Sequence, residues 1–351
     1  VGGEYSAEVV EDLKLMVARG LPRWGLAPDA RVELLNLSEN ATFLIERAAG
    51  VEGGTSTAGD LILRVHRVGY SSTEEIRSEL AWIFALRQAG AVETAQPIAG
   101  RDGELVQRLV SPAGRLDRDA VAFERLPGAE PGQDDALPWF ERLGQVTAKL
   151  HRHARIWRLP AGFRRKRWDL AAMIGPAAYW GPWRAAMGLD AAGIRVFEAA
   201  LALIERRLDT YGVGPERFGL VHADLRLANL LADGERLCVI DFDDCGFSWF
   251  MYDFASGVSF IEDDPKLGAL LDAWLEGYRQ VAPLAPADAA EIPTFVMLRR
   301  ILLCAWLASH SEVPLAQQLG IPYTHGTLAI AEEFLGGRYL KGTAAAHASR
   351  I

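Results

Sequence analysis

The dipeptide Asp233-Gly234 constrains this chain more than any other feature. Both residues tolerate the positive φ that a two-residue hairpin turn requires. Apolar runs flank it, Leu230-Leu231 before and Leu237-Cys238-Val239-Ile240 after. These runs are expected to pair as antiparallel strands, in a hairpin over about residues 220–241. Folding about the turn carries Asn229 and Asp241 to the same open end, with Asp224 just beyond, in the loop that feeds the first strand. Two carboxylates and an amide therefore converge on one spot.

That set suits a particular chemistry. Mg²⁺ takes oxygen ligands and is usually held by one or two protein groups together with phosphates. Asn229 and Asp241 can supply such ligands, while Asp224 can orient an attacking hydroxyl and accept its proton. One Asp on the nucleophile, with a second Asp and an Asn on metal, is the division of labour of phosphoryl transfer in kinases. Arg226, two residues past Asp224, places a fixed positive charge where a transferring phosphoryl group would need one.

The surroundings of the hairpin change character along the chain. Val9, Val10, Leu13, Met16 and Val17 recur at helical spacing over residues 7–20. Arg31–Leu37 and Thr42–Glu46 read as strands about a Ser38-Glu39-Asn40 turn, and Leu61–His66 as a third, with Leu61, Leu63 and Val65 alternating. Residues 48–60, rich in Gly, Ser, Thr and Ala, read as a flexible loop. Ser72 with Glu75 three residues on is a capping box that opens a helix with an Ile76, Leu80, Ile83, Leu86 stripe. Strands follow at Glu104–Val110 and Ala120–Glu124. Leu126-Pro127-Gly128 marks a break. Beyond it helices dominate, at Trp139–Arg155, Ile194–Tyr211, Gly268–Val281 and Ile292–His310.

Composition narrows the function. The 351 residues carry net charge −9 with no basic block, which argues against nucleic acid as a partner because phosphate-backbone binding needs clustered Lys and Arg. No apolar run is expected to reach the roughly 18 residues of a bilayer span, so no membrane partner is expected. The first residues, with Glu4, Glu8, Glu11 and Asp12, are acidic where a secretory signal is basic. Cys238, Cys245 and Cys304 are too few and too scattered for a disulfide framework or zinc site. A reducing cytoplasm fits best.

His222-x-Asp224-x-x-x-x-Asn229 followed by Ile240-Asp241-Phe242-Asp243 resembles the aminoglycoside phosphotransferase and choline kinase superfamily. Homoserine kinases of the kinase-like type and a bacterial stress-response protein kinase belong to the same group. Further landmarks stand in order: Leu63-Arg64-Val65-His66-Arg67, Ser78-Glu79-Leu80-Ala81-Trp82, Phe123-Glu124-Arg125-Leu126-Pro127-Gly128 and Lys149-Leu150-His151. The resemblance implies an α+β, two-lobed protein-kinase-like fold. Residues 1–126 would form a small, β-rich, nucleotide-binding N-lobe, and residues 127–351 a larger, mainly α-helical C-lobe with the catalytic loop, metal and substrate sites. ATP and Mg²⁺ are the implied cofactors. Asp224 would act as catalytic base or orienting carboxylate, Asn229 and Asp241 would bind metal, and Asp253 would brace the catalytic loop, its alternative being a helix N-cap. His222 is expected to hold the loop rather than move a proton. Asp243 and Asp244 read either as a solvated turn or as additional metal or substrate contacts.

The chain departs from the kinase pattern on its third strand. None of its five lysines falls there, and Arg64 stands where a phosphate-pairing Lys is usual. An Arg fork can hold phosphate oxygens, and His66 on the same face is a second candidate. Glu79 lies on the inward side of the capped helix and needs a partner, so an Arg64–Glu79 ion pair at the nucleotide phosphates is predicted. No Gly-rich loop joins the first strands. Ser38, Asn40 and nearby backbone N–H groups are the candidates there for phosphate contact. The base is expected against backbone near Glu124, Arg125 and Leu126.

A small-molecule kinase is the leading reading, with a hydroxyl of an amino sugar, amino alcohol or amino acid as acceptor. Trp168, Tyr179, Trp180, Trp183, Trp249 and Tyr252, with Glu262, Asp263 and Asp264, either line a pocket for a cationic, hydroxylated ligand or, for most of the Trp residues, pack the helices. A protein Ser/Thr kinase ranks lower because the stretch from Asp241 to Asp253 is too short for a long regulated loop. A non-catalytic nucleotide-binding protein is disfavoured by the joint presence of Asp224, Asn229 and Asp241.

Overall fold

The structure is a computed structural model and describes residues 6–46, 59–132 and 135–341. Most of the Gly- and Ser-rich stretch at 48–60 lies outside the described residues. The chain divides into two compact units. One is Val1–Gly128 with Leu159–Arg164, and the other Ala129–Arg158 with Arg165–Ile351.

The first unit runs α1 (Ala7–Gly20), β1 (Arg31–Leu37), β2 (Ala41–Glu46), β3 (Leu61–Val65), α2 (Thr73–Gln88), β4 (Glu93–Thr94), β5 (Pro97–Ile98), β6 (Val106–Leu109) and β7 (Arg118–Glu124). Its sheet is antiparallel throughout, in the order β1-β2-β3-β7-β5, with β6 also on β7. The two faces of β3 do different work, as strand alternation requires. Leu61, Leu63 and Val65 join Val9, Leu13, Met16 and Val17 of α1 in the core. Arg64, on the other face, reaches Glu79 of α2. The capping box forms as the sequence predicts: the Glu75 N–H donates to Ser72 Oγ at 3.2 Å, and the Ser72 N–H donates to Glu75 Oε2 at 2.8 Å. The segment Leu159–Arg164 returns to this unit, where the Arg164 N–H donates to Ser78 Oγ on α2 at 2.8 Å.

The second unit runs α3 (Ala136–Ile156), β8 (Lys166–Arg167), α4 (Leu170–Ile174), α5 (Ala191–Tyr211), β9 (Phe218–Val221), β10 (Leu230–Asp233), β11 (Arg236–Val239), β12 (Gly246–Trp249), α6 (Tyr252–Gly257), α7 (Leu267–Val281), α8 (Pro286–Ser309) and α9 (Pro314–Leu335). The hairpin is shorter than the sequence predicts. Only β10 and β11 pair about Asp233-Gly234, with Leu230 opposite Val239. Leu220 and Val221 belong to β9, which pairs with β12 instead. The chain leaves β9 through the loop at 222–229, so those residues are free for chemistry rather than for a ladder.

Two helical features also depart from expectation. α8 begins at Pro286 rather than Ile292, using a proline in its first turn, where no N–H is needed. The sequence pattern does not reveal α9, because Gly320, at φ 40°, and Pro322 interrupt it. α8 is long and apolar enough by composition to cross a membrane, contrary to the sequence expectation, but 83% of its most apolar window is buried inside the protein. Its all-round burial is that of a core helix.

Candidate active site

The loop between β9 and β10 carries His222, Asp224, Arg226 and Asn229. Its first turn is held from below by Asp253 on α6. Asp253 Oδ1 accepts the Ala223 N–H at 2.7 Å, and Oδ2 accepts the His222 N–H at 3.2 Å and lies 3.0 Å from His151 Nε2. Ala223 has φ 66°, a left-handed conformation that costs a non-glycine residue about 1–2 kcal/mol. These bonds to Asp253 hold it there. The helix N-cap is Met251, so Asp253 is a loop brace and not a cap. His222 is fully buried, with Nε2 3.1 Å from the Ile240 carbonyl, and the Asp224 N–H donates to its Nδ1 at 3.3 Å. Burial pushes its pKa down, against the pull of Asp253 and Asp224, so the ring is a neutral strut.

The Asp224 carboxylate is surrounded by donors. Arg226 Nε lies 3.1 Å from Oδ1 and its Nη2 lies 3.2 Å from Oδ2. Asn229 Nδ2 donates to Oδ2 and to the Asp224 carbonyl, both at 2.8 Å. Arg299 Nη2, arriving from α8, lies 3.2 Å from Oδ1. Burial alone would raise the carboxyl pKa, but Arg226 and Arg299 outweigh it and hold it below its ordinary value. Asp224 is thus an ionised acceptor suited to orienting a hydroxyl. The same attraction raises Arg226, and Asp241 adds to it.

The Ile240 N–H donates to the Asn229 carbonyl at 2.9 Å, which closes the open end of the hairpin and sets Asn229 and Asp241 beside each other on the chain path. Asp241 has φ 58°. Because the Asn229 amide nitrogen is committed to Asp224, its amide oxygen is left for another partner. An amide oxygen and a carboxylate are the donors a hard divalent cation takes, so these residues fit one. Among the described residues no cluster of three or more His, Cys, Asp or Glu suggests a further metal site.

Asp243 and Asp244 do not form a solvated turn. Asp243 is 6% exposed, and its carbonyl and that of Cys245 accept from the Arg165 guanidinium. Lys166 Nζ lies 3.2 Å from Asp244 Oδ1, and Trp168 Nε1 donates to the Asp244 carbonyl at 2.8 Å. Trp249, a substrate candidate from sequence, is packed against Phe218 and Phe295 and donates to the Gly212 carbonyl at 2.9 Å. It is core, as large aromatics usually are. Glu262 is also withdrawn from ligand duty: it is buried, with Oε2 2.7 Å from Arg300 and Oε1 2.9 Å from the Tyr323 hydroxyl.

In the first unit, Arg64 Nη2 lies 2.5 Å from Glu79 Oε1, both side chains being almost fully buried. The Arg64 guanidinium lies over the Phe123 ring at 5.3 Å. Glu79 Oε2 is buried and accepts no hydrogen bond among the described residues. His66 is buried beside this strand. In the β1–β2 turn the Ser38 N–H donates to the Asn40 carbonyl at 3.0 Å, and Asn40 Oδ1 accepts the Arg67 N–H at 3.1 Å. Ser38 and Asn40 line a small depression with Arg67 and Arg118. Glu124 Oε1 accepts the Gln96 N–H at 2.9 Å and pairs with Arg87 at 3.1 Å, while Leu126 is half-buried.

Sequence reasoning missed Arg299, which lies 75 residues beyond Asp224 in the chain. A signal for it exists. Arg299 and Arg300 are adjacent inside the apolar run from Phe295 to Leu307, and two guanidinia so placed must find buried acceptors.

A profile of the phosphotransferase enzyme family matches residues 36–284. The chain belongs to this family. The phosphotransferase is similar in structure to a microcompartment-associated aminopropanol kinase, with a TM-score of 0.84 and 43% identity, covering 93% of this chain and 98% of the other. An amicoumacin kinase solved with AMP-PNP, Ca²⁺ and Ami shares the fold, with a TM-score of 0.75 and 22% identity over 97% of this chain and 98% of that one. Among curated relatives, amicoumacin kinase of Bacillus subtilis is 26% identical over 259 residues, 69% of this chain and 72% of that protein. A protein of Deinococcus radiodurans is 30% identical over 314 residues, 85% and 87% respectively. The phosphotransferase has a kinase-like α+β fold and is a small-molecule kinase acting on an alcohol group.

Proposed function

We propose that this phosphotransferase moves the γ-phosphoryl group of ATP to the hydroxyl of a small amino alcohol. The observation that carries the reading is the ionised Asp224, fixed by Arg226 and Asn229 at the mouth of the hairpin. The choice of acceptor class rests on the 43% identity to an aminopropanol kinase over 93% of the chain.

In this reading Asp224 accepts a hydrogen bond from the acceptor hydroxyl and aims its oxygen at phosphorus. The new P–O bond forms as the bond to the β,γ-bridging oxygen breaks, ADP leaves, and the hydroxyl proton passes to Asp224 and then to solvent. Arg226 is half-exposed beside Asp224 and supplies positive charge to the transferring group. Asn229 and Asp241 would hold Mg²⁺, which when bound neutralises phosphate charge. Arg64, oriented by Glu79 and by the Phe123 ring, takes the phosphate-pairing role usual for Lys. Ser38, Asn40 and the backbone near Glu124 and Leu126 complete the nucleotide contacts, and the unit to which Arg64 belongs is accordingly the nucleotide-binding one. Cys238, Cys245 and Cys304 are buried thiols, as suits a protein of a reducing cytoplasm.

The test is ADP release with Mg–ATP and a panel of aminopropanol, ethanolamine, choline, homoserine and aminoglycosides. Aminopropanol or ethanolamine should give the highest kcat/KM. Stronger stimulation by homoserine or an aminoglycoside would overturn the acceptor class.

A further inference from the structure

We propose that Arg299 is the positioning residue that keeps Asp224 aimed while Arg226 engages the phosphoryl group. This rests on the reading of Asp224 given above.

The two arginines on Asp224 are not equivalent. Arg226 belongs to the same loop, and its side chain is 32% exposed. Arg299 comes from the middle of α8, and its side chain is 3% exposed. All three guanidinium nitrogens of Arg299 are committed: Nε donates to Ser259 Oγ at 3.0 Å, Nη1 to the Tyr252 hydroxyl at 2.9 Å, and Nη2 to Asp224 Oδ1 at 3.2 Å. Its plane also lies 5.0 Å from the centre of the Trp180 ring and 5.7 Å from that of Tyr252. Such a fork, pre-set by its neighbours, loses little freedom when it holds a carboxylate.

The consequence appears when a phosphoryl group competes for Arg226. A guanidinium that turns towards phosphate gives up its bonds to Asp224. Asn229 then holds only Oδ2, which leaves the carboxylate free to swing about that contact. Arg299 grips Oδ1 and cannot follow the phosphate, because it is buried and its Nε and Nη1 anchor it to Ser259 and Tyr252. With Oδ1 held by Arg299 and Oδ2 by Asn229, the carboxylate keeps its orientation through the transfer. Tyr252 and Ser259 act through Arg299 and touch no reacting atom.

The experiment compares wild type, Arg299→Gln, Arg299→Lys, Asp224→Ala and Arg299→Gln/Asp224→Ala. It measures kcat, both KM values and Mg–ATP affinity by equilibrium titration. Misplacement of a reacting group by about 1 Å costs about 100-fold. Arg299→Gln should therefore lose about 100-fold in kcat, with both KM values and nucleotide affinity within about threefold. Arg299→Lys should recover about tenfold of that loss, since a charge remains without the fork. In the Asp224→Ala background Arg299→Gln should cost less than about threefold more, because coupled residues are not additive. Unchanged kcat in Arg299→Gln overturns the proposal, as does a full additional loss in the Asp224→Ala background. If Arg299→Gln does not fold, Tyr252→Phe and Ser259→Ala replace it. Each should lower kcat by about fivefold without moving KM, and wild-type kcat in both overturns the proposal. Near-normal turnover in Asp224→Ala would sink the functional reading itself, a separate outcome.

Discussion

At the residue scale, the bracing of the loop that carries Asp224 involves buried imidazoles whose pKa burial lowers. His151 is fully buried, with Nε2 3.0 Å from Asp253 and Nδ1 3.1 Å from the Tyr278 hydroxyl. Burial lowers its pKa more than Asp253 raises it, and burial lowers His222 as well. As pH falls, the unfolded chain therefore takes up these protons before the folded chain does. The associated stability is whole above about pH 6.5 and is lost as pH drops towards the depressed folded values. The melting temperature should fall between about pH 7.5 and 5.5, and His151→Gln should flatten that slope while lowering the plateau. Parallel slopes for the two proteins would show that His151 is not the group that titrates. Of the residues here, Asp224, Asn229 and Asp241 are legible from sequence because one turn signal places them. Arg299 is not, because a contact across 75 residues leaves no local spacing to read.

At the element scale, α3 and α7 cross at two glycines. A Cβ at Gly144 would strike the Trp274 carbonyl oxygen, and one at Gly277 the Glu141 carbonyl oxygen. Gly→Ala inside a helix is ordinarily stabilising by about 1 kcal/mol. Here overpacking reverses the sign, and Gly277→Ala should destabilise by about 1–3 kcal/mol. Denaturant unfolding measures it, and a gain in stability would contradict the close crossing. Elements with their own start or turn signal were legible, such as α2 through Ser72 and Glu75 and the hairpin through Asp233-Gly234. Helices with amphipathic stripes, α1 and α3 among them, were legible within a few residues. The β9–β12 and β8–β12 pairings were not, since two- to four-residue strands from distant segments carry too little pattern. The sequence pattern shows α8 six residues short, because burial on every side erases the stripe that marks a helix face.

At the scale of the whole molecule, Pro127-Gly128 stands at the boundary between Gly128 and Ala129 that separates the two units. The return of Leu159–Arg164 to the first unit has no mark in composition, and one of its contacts there, the Arg164 N–H on Ser78 Oγ, is made by backbone and so leaves no side-chain pattern to read. The sequence offers Trp180 and Tyr252 as pocket or packing residues, and the structure places both rings against Arg299. Each unit presents its own part of the proposed chemistry, Arg64 with Glu79 in one and the Asp224 loop with Asp241 in the other. The most direct measurement is Mg–ATP affinity alongside turnover in Asp224→Ala and Asp241→Ala. Asp224→Ala should bind Mg–ATP as wild type does and lose about 10²–10⁴ in kcat, while Asp241→Ala should lose about 10–100-fold in metal-dependent nucleotide affinity. Near wild-type turnover in Asp224→Ala, or metal-dependent binding untouched in Asp241→Ala, would contradict the account.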